Sequence, residues 1–171
     1  MSYELKRLGA QSLEAALEKA SVYRDLNQPE EAESICRDVL DVDANSQRAL
    51  RTLGLALTDK LTHPASQPSV GVFEDALATF ERLEAEYERV YYSGVAWERA
   101  AKAHLERGEA HSAVTSFEHA MGLFETAEKI APHGTPDPIL RWNRCVRLLR
   151  AHPELLAAMD DPRESAHFMG D

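Results

Sequence analysis

The chain's reactive side chains are arginines, carboxylates, histidines and two cysteines. RWNRCVRLLR, residues 141–150, holds Arg141, Arg144, Arg147 and Arg150 and no acid. A guanidinium fork binds carboxylate or phosphate oxygens in pairs. The chain around it is acidic, with 19 Lys plus Arg against 29 Asp plus Glu and a formal charge of −10. That balance repels a phosphate backbone over most of the surface and argues against a nucleic-acid partner. FEDALATFERLEAEYER carries Glu74, Asp75, Glu81, Glu84, Glu86 and Glu88 against Arg82 and Arg89. Carboxylate pairs do acid–base work only where burial separates their pKa values. These fall mostly on the polar side of a helical pattern, which predicts a solvated face.

Metal chemistry finds no frame. Asp41 to Ser46 opens like a calcium loop, but the twelfth position is Thr52, where a bidentate Glu is needed, and the sixth is Ser46, where Gly is needed. His104, His111 and His119 include no pair at i, i+4, the spacing that turns two imidazoles onto one ion. There is no CxxC, no phosphate-cradling glycine loop and no GxSxG elbow. No enzyme activity, cofactor or metal is expected. Cys36 and Cys145 sit on apolar faces, which predicts buried, reduced thiols.

The elements that position these groups are helical. Ala32, Ile35, Cys36, Val39 and Leu40 recur at i, i+3, i+4, i+7 and i+8, and Ala113 to Phe124 and Phe73 to Tyr87 repeat the pattern. No window alternates as a strand does. Pro29, the turn at Asp43–Ser46, the Pro/Gly loops 61–72 and 131–138, Ser93-Gly94 and Gly108 break the chain. Helices are expected over 12–26, 29–42, 46–60, 73–91, 95–107, 110–130 and 138–151, with Asp137 as the last N-cap and Pro138 as first helical residue. No apolar run nears the roughly 20 residues of a membrane span. The opening MSYELKRLGA has no apolar signal region, so a cytoplasmic location is expected.

Small residues set a longer register. Ala20 and Ala32 are 12 apart, as are Ala101 and Ala113, and Ala20 and Gly54 are 34 apart. Leu50, Leu53, Gly54 and Leu57 are followed by Ala76, Phe80 and Leu83. Trp97, Ala100, Ala101 and His104 are followed by Ala113, Phe117 and Ala120. Over residues 13–151 this resembles the tetratricopeptide repeat family, whose unit is a helical hairpin of about 34 residues. Lys19, the absent closing Pro and the long connections depart from the family pattern. The resemblance implies an all-α, right-handed superhelix of three hairpins, about 12–42, 46–91 and 95–130. A capping helix 138–151 follows, with Trp142, Cys145, Val146 and Leu149 facing the last hairpin. Residues 1–11 form an N-terminal segment, and 152–171 a short turn and flexible tail.

It further implies an inner surface lined by the first helix of each hairpin. Its positions here are Glu14, Leu17, Ser21 and Arg24; Arg48, Arg51, Leu55 and Thr58; Val95, Glu98, Lys102 and Leu105; and Leu140, Asn143, Arg147 and Arg150. Arg141 and Arg144 then lie nearer the edge or outside. The set is basic. It either receives an acidic or C-terminal segment of another protein or pairs internally with acids such as Glu14 and Glu98. The implied partner-binding residues are Arg24, Arg48, Arg51, Leu55, Glu98, Lys102, Asn143, Arg147 and Arg150. The implied function is a non-catalytic interaction module, an adaptor or assembly factor. The alternative is a permanent subunit of a larger complex or a homo-oligomer. Tyr91 and Tyr92 either pack on the third hairpin or anchor a partner.

Overall fold

The computed structural model describes residues 3–63 and 71–159. Among them the fold is all-helical, with no strand. A short 3-10 turn at Ala10–Ser12 leads into α1 (Leu13–Asp25), α2 (Pro29–Val42), α3 (Gln47–Lys60), α4 (Val72–Glu81), α5 (Glu86–Glu106), α6 (Ala110–Ile130), α7 (Asp137–Ala151) and α8 (Pro153–Met159). Pro64 and Pro68 of the connection between α3 and α4, and residues 160–171, lie outside the described residues. No described helix is long and apolar enough to cross a membrane.

Two hairpin turns share one construction. Asn27 takes a left-handed φ of 57° after α1, and Gly108 takes 74° after α5. Gln28 N–H then donates to Tyr23 O at 2.8 Å and Asn27 N–H to Arg24 O at 2.9 Å. After α5, Glu109 N–H donates to His104 O and Gly108 N–H to Leu105 O, both at 3.0 Å. Each is the paired closure that satisfies the last carbonyls of a helix, and Asn and Gly are the residues that accept its backbone. Pro29 then opens α2 with its φ already set. Ser46 caps α3 by accepting from Ala49 N–H.

Consecutive helices pack on one another, and α1, α3, α5 and α7 also touch in sequence. Ala20, Ala32, Ala101 and Ala113, the residues spaced by 12, are all fully buried. Larger side chains fill between them in two main clusters, one around Leu50, Leu57 and Phe80, the other around Phe117, Phe124 and Cys145. Tyr92 and Leu55 pack against both. Tyr91 is buried, and Tyr92 stacks 5.4 Å from Phe80, so both tyrosines pack internally. Cys36 and Cys145 are free and buried in different clusters, and burial pushes each thiol up to about 12.

The structure corrects three boundaries. The expected helix 73–91 ends at Glu81, and the break falls at 82–85 rather than at Ser93-Gly94. Tertiary contacts hold this turn. Leu83 is buried, Arg89 Nη1 donates to Leu83 O at 2.6 Å and Glu84 O at 2.8 Å, and Gln47 Oε1 accepts from Glu84 N–H at 2.8 Å. Ser93 and Gly94 are small because α6 crosses there: a Cβ on Gly94 would lie 2.7 Å from Phe124 Cε1. α5 therefore runs unbroken for 21 residues. At α7, Pro136 is the cap, Asp137 the first residue and Pro138 buried in the first turn. After Pro153 the chain forms α8, whose Leu155 is fully buried against the second cluster.

Gly54 repeats the close approach seen at Gly94, since a Cβ there would overlap the Phe80 ring. Gly122, also helical, has open space around it. Gly54→Ala is expected to lower unfolding stability by about 1–3 kcal/mol through overpacking. Gly122→Ala is expected to raise it by about 0.5–1 kcal/mol through helix propensity. Urea denaturation of the two variants measures both.

Candidate interface: a charged layer across α1, α3, α5 and α7

These four helices carry opposite charges 34 to 43 residues apart that meet across them. Arg48, in the first turn of α3, bridges Glu14 in the first turn of α1, 34 residues earlier. Near the other end of both helices, Arg24 Nε donates to Asp59 Oδ2 at 2.8 Å. The second oxygen of Asp59 accepts from Arg99 on α5. Arg51 Nη2 donates to Glu88 Oε1 on α5 at 2.6 Å. Glu98 on α5 accepts from Arg141 Nη1 on α7 at 3.0 Å and from Lys102 Nζ one turn along its own helix. Each neighbouring pair of the four helices is thus joined by ionic contacts.

These contacts differ in depth. Arg48 and Glu14 are solvent-exposed, and a pair of that kind contributes about 0–1 kcal/mol. Glu98 is the one fully buried charged residue among those described. A buried carboxylate is tolerated only with its counter-charges in place. Burial acts against the charge of Arg141, but Glu98 and the Tyr91 hydroxyl outweigh it and raise its pKa. Burial, helped by the neighbouring Arg24, lowers the pKa of Arg99 despite Asp59. Arg51 Nε is buried without a hydrogen-bond partner among the described residues.

Five of the sequence-predicted residues, Arg24, Arg48, Arg51, Glu98 and Lys102, meet in this layer. Leu55 is half-buried where the two core clusters meet. Asn143, Arg147 and Arg150 are exposed, and none joins the layer. α7 starts at Asp137, so Pro138, Arg141, Cys145 and Leu148 form its inward stripe. Cys145 and Leu149 pack in the core as expected, while Trp142 and Val146 are half-buried outside the clusters. Sequence reasoning missed Asp59, Glu88, Arg99 and Arg141. A search for opposite charges 35 to 43 residues apart would have found the bridges they make.

Other polar groups make local contacts apart from this layer. Among the described residues no three His, Cys, Asp or Glu side chains are placed to hold a metal ion. His119 stacks on Trp97 with ring centres 4.6 Å apart, and His104 contacts Glu109 and Arg107. Arg107 and His104 pull the exposed Glu109 carboxyl down to about 2. An open groove of about 450 Å³ between α2, α3 and α4 is lined by Arg37, Asp41, Asp75 and Arg82 around Leu53 and Leu57.

Two measurements test the charge pairs. Arg141→Met leaves Glu98 with Lys102 alone and is expected to cost about 2 kcal/mol of stability. Adding Glu98→Leu is expected to recover part of that loss; simple additivity in the double-mutant cycle rules the coupling out. Glu33 links α2 to α3 by accepting from Lys60 Nζ at 2.9 Å and from Arg37 on its own helix. Burial opposes its charge, yet these cations hold its pKa below 4.5. A depressed folded pKa adds stability above the unfolded value and loses it as pH falls through the folded one. Glu33→Gln should therefore be less stable than wild type at pH 7, and the gap should close below about pH 4.5. A gap that stays constant down to acid pH contradicts this.

No protein-family model matches the chain, and no curated protein is significantly similar to it.

Proposed function

We propose that the chain is a non-catalytic protein–protein interaction module of tetratricopeptide type, an adaptor or assembly factor. In this reading α1, α3, α5 and α7 are first helices lining the inner surface of a right-handed superhelix. The contacts between alternate helices and the matching turns at Asn27 and Gly108 support it. The ligand is an acidic or C-terminal segment of a partner, held on the charged layer. Two cysteines in separate clusters suit a reducing compartment such as the cytoplasm.

One observation carries the ligand class. In the layer, six cations (Arg24, Arg48, Arg51, Arg99, Lys102 and Arg141) share four carboxylates. Asp59 and Glu98 each serve two. Side-chain exposure of these cations runs from 22% at Arg24 to 39% at Arg48, so solvent still reaches them. A guanidinium has five N–H donors, and a single carboxylate leaves several of them open. An incoming carboxylate can add to this layer without displacing its structure. The chain as a whole carries a formal charge of −10, so a cluster of cations is where such a ligand meets positive potential.

The test uses a fluorescent glutamate-rich peptide with a free C-terminus, and a lysine-rich peptide as control. Anisotropy is expected to show binding of the acidic peptide that weakens with added salt. Arg48→Glu combined with Arg51→Glu should weaken it roughly tenfold or more while the helical circular dichroism is kept. Equal binding of both peptides, or affinity untouched by the reversal, removes the reading. Affinity capture with mass spectrometry, comparing wild type with the reversed variant, then identifies the partner.

A further inference from the structure

The exposed large apolar residues are not scattered. Every described one lies either before α2 or from the end of α6 onward, and none lies in α2 to α5. At the first end Val22 on α1 and Leu26 just after it are 53% and 62% exposed. At the other end Ile139 and Leu140 are 44% and 59% exposed on α7. Scattered apolar residues need no explanation, but pairs placed only on the two terminal faces do.

The charges around these pairs have opposite sign. On α1, Glu18, Val22 and Asp25 recur at i, i+4 and i+7, all exposed, with Lys19 the one opposing charge beside them. On α7, Leu140, Arg144 and Arg147 recur at the same spacing, all exposed, with Arg150 a turn further on. Each set is one helix face about two turns long. None of Arg144, Arg147 and Arg150 makes a hydrogen bond or ion pair among the described residues. α7 contains one acid, Asp137, at its first position, so its own helix does not neutralise these three arginines. The charged layer uses a different stripe of the helix, through Arg141 and Glu98.

We propose that the two ends bind one another between copies: the Val22–Leu26 face of α1 in one chain docks on the Leu140–Arg147 face of α7 in the next. Apolar residues meet at the centre, and Glu18 and Asp25 face Arg144 and Arg147. Opposite ends of one molecule are complementary, so the contact is head-to-tail. It therefore repeats, closing into a ring or extending as a filament. A second copy fits better than an unrelated partner because both halves of the complementarity are present on this chain. This surface is separate from the layer proposed to hold an acidic peptide.

Sedimentation equilibrium at low ionic strength reads the association. Wild type is expected to exceed the single-chain mass of 19.1 kDa increasingly as concentration rises, and added salt should oppose this. A variant with Asp25→Lys and Leu26→Lys, and another with Leu140→Gln and Arg144→Gln, should each lose self-association by about tenfold or more. All four positions are exposed, and circular dichroism melts check that both variants fold. Mixed together, the two variants should form a one-to-one dimer and nothing larger, since each keeps one working face. Arg48→Glu with Arg51→Glu should associate like wild type, which separates this surface from the peptide-binding layer. A wild type that stays monomeric at every concentration overturns the proposal. So does an oligomer that survives in both variants, or a mixture that gives no dimer.

Discussion

Two aromatic rings resting on two glycines set the spacing of this molecule. Phe80 of α4 lies on Gly54 of α3, and Phe124 of α6 lies on Gly94 of α5, each with no room for a Cβ. Both phenylalanines are fully buried. A helix pair can approach this closely only where one partner lacks a side chain, and the ring then fills the hollow that would otherwise be a void. The first pair meets the same need with Ala20 and Cys36, both fully buried in one cluster. With the pairs drawn together, α1, α3, α5 and α7 come near enough for long charged side chains to span from one to the next.

That proximity explains the ionic layer better than stability does. Partly exposed ion pairs contribute little to folding. Their positions fix register: Glu14 with Arg48 at one end of α1 and α3, Arg24 with Asp59 at the other. Only Glu98 is deep enough to make its partners obligatory, and it ties α7 to α5. The remaining donors of the guanidiniums stay within reach of solvent. A surface that holds its own helices in place with arginines keeps the same groups available for a visiting carboxylate.

Much of this was legible in the sequence, because it rests on local rules. Apolar stripes marked the helices, and alanines spaced by 12 marked two of the crossings. What escaped notice was set by distant contacts. The turn at 82–85 contains no Pro, Gly or Asn; Arg89, Gln47 and the buried Leu83 hold it from outside. Ser93-Gly94 looked like a break because small residues often make turns, whereas here they serve a helix crossing. At α7 a repeat register set two residues late moved the inward stripe from Arg141 and Cys145 to Asn143 and Arg147. In a helix, two residues of register turn a face through more than half a circle.

The unbroken course of α5 has a mechanical consequence. Its Ala96 belongs to the cluster around Phe80, while its Val95 and Ala101 belong to the cluster around Phe124. Stacks of small helical units often unfold piecemeal, because each unit touches only its neighbours. Here a single rod of 21 residues is embedded in both halves. Loosening either cluster strips that rod of half its cover. The two halves should therefore melt as one cooperative body, with the ends, α1 and α8, as the places where fraying begins.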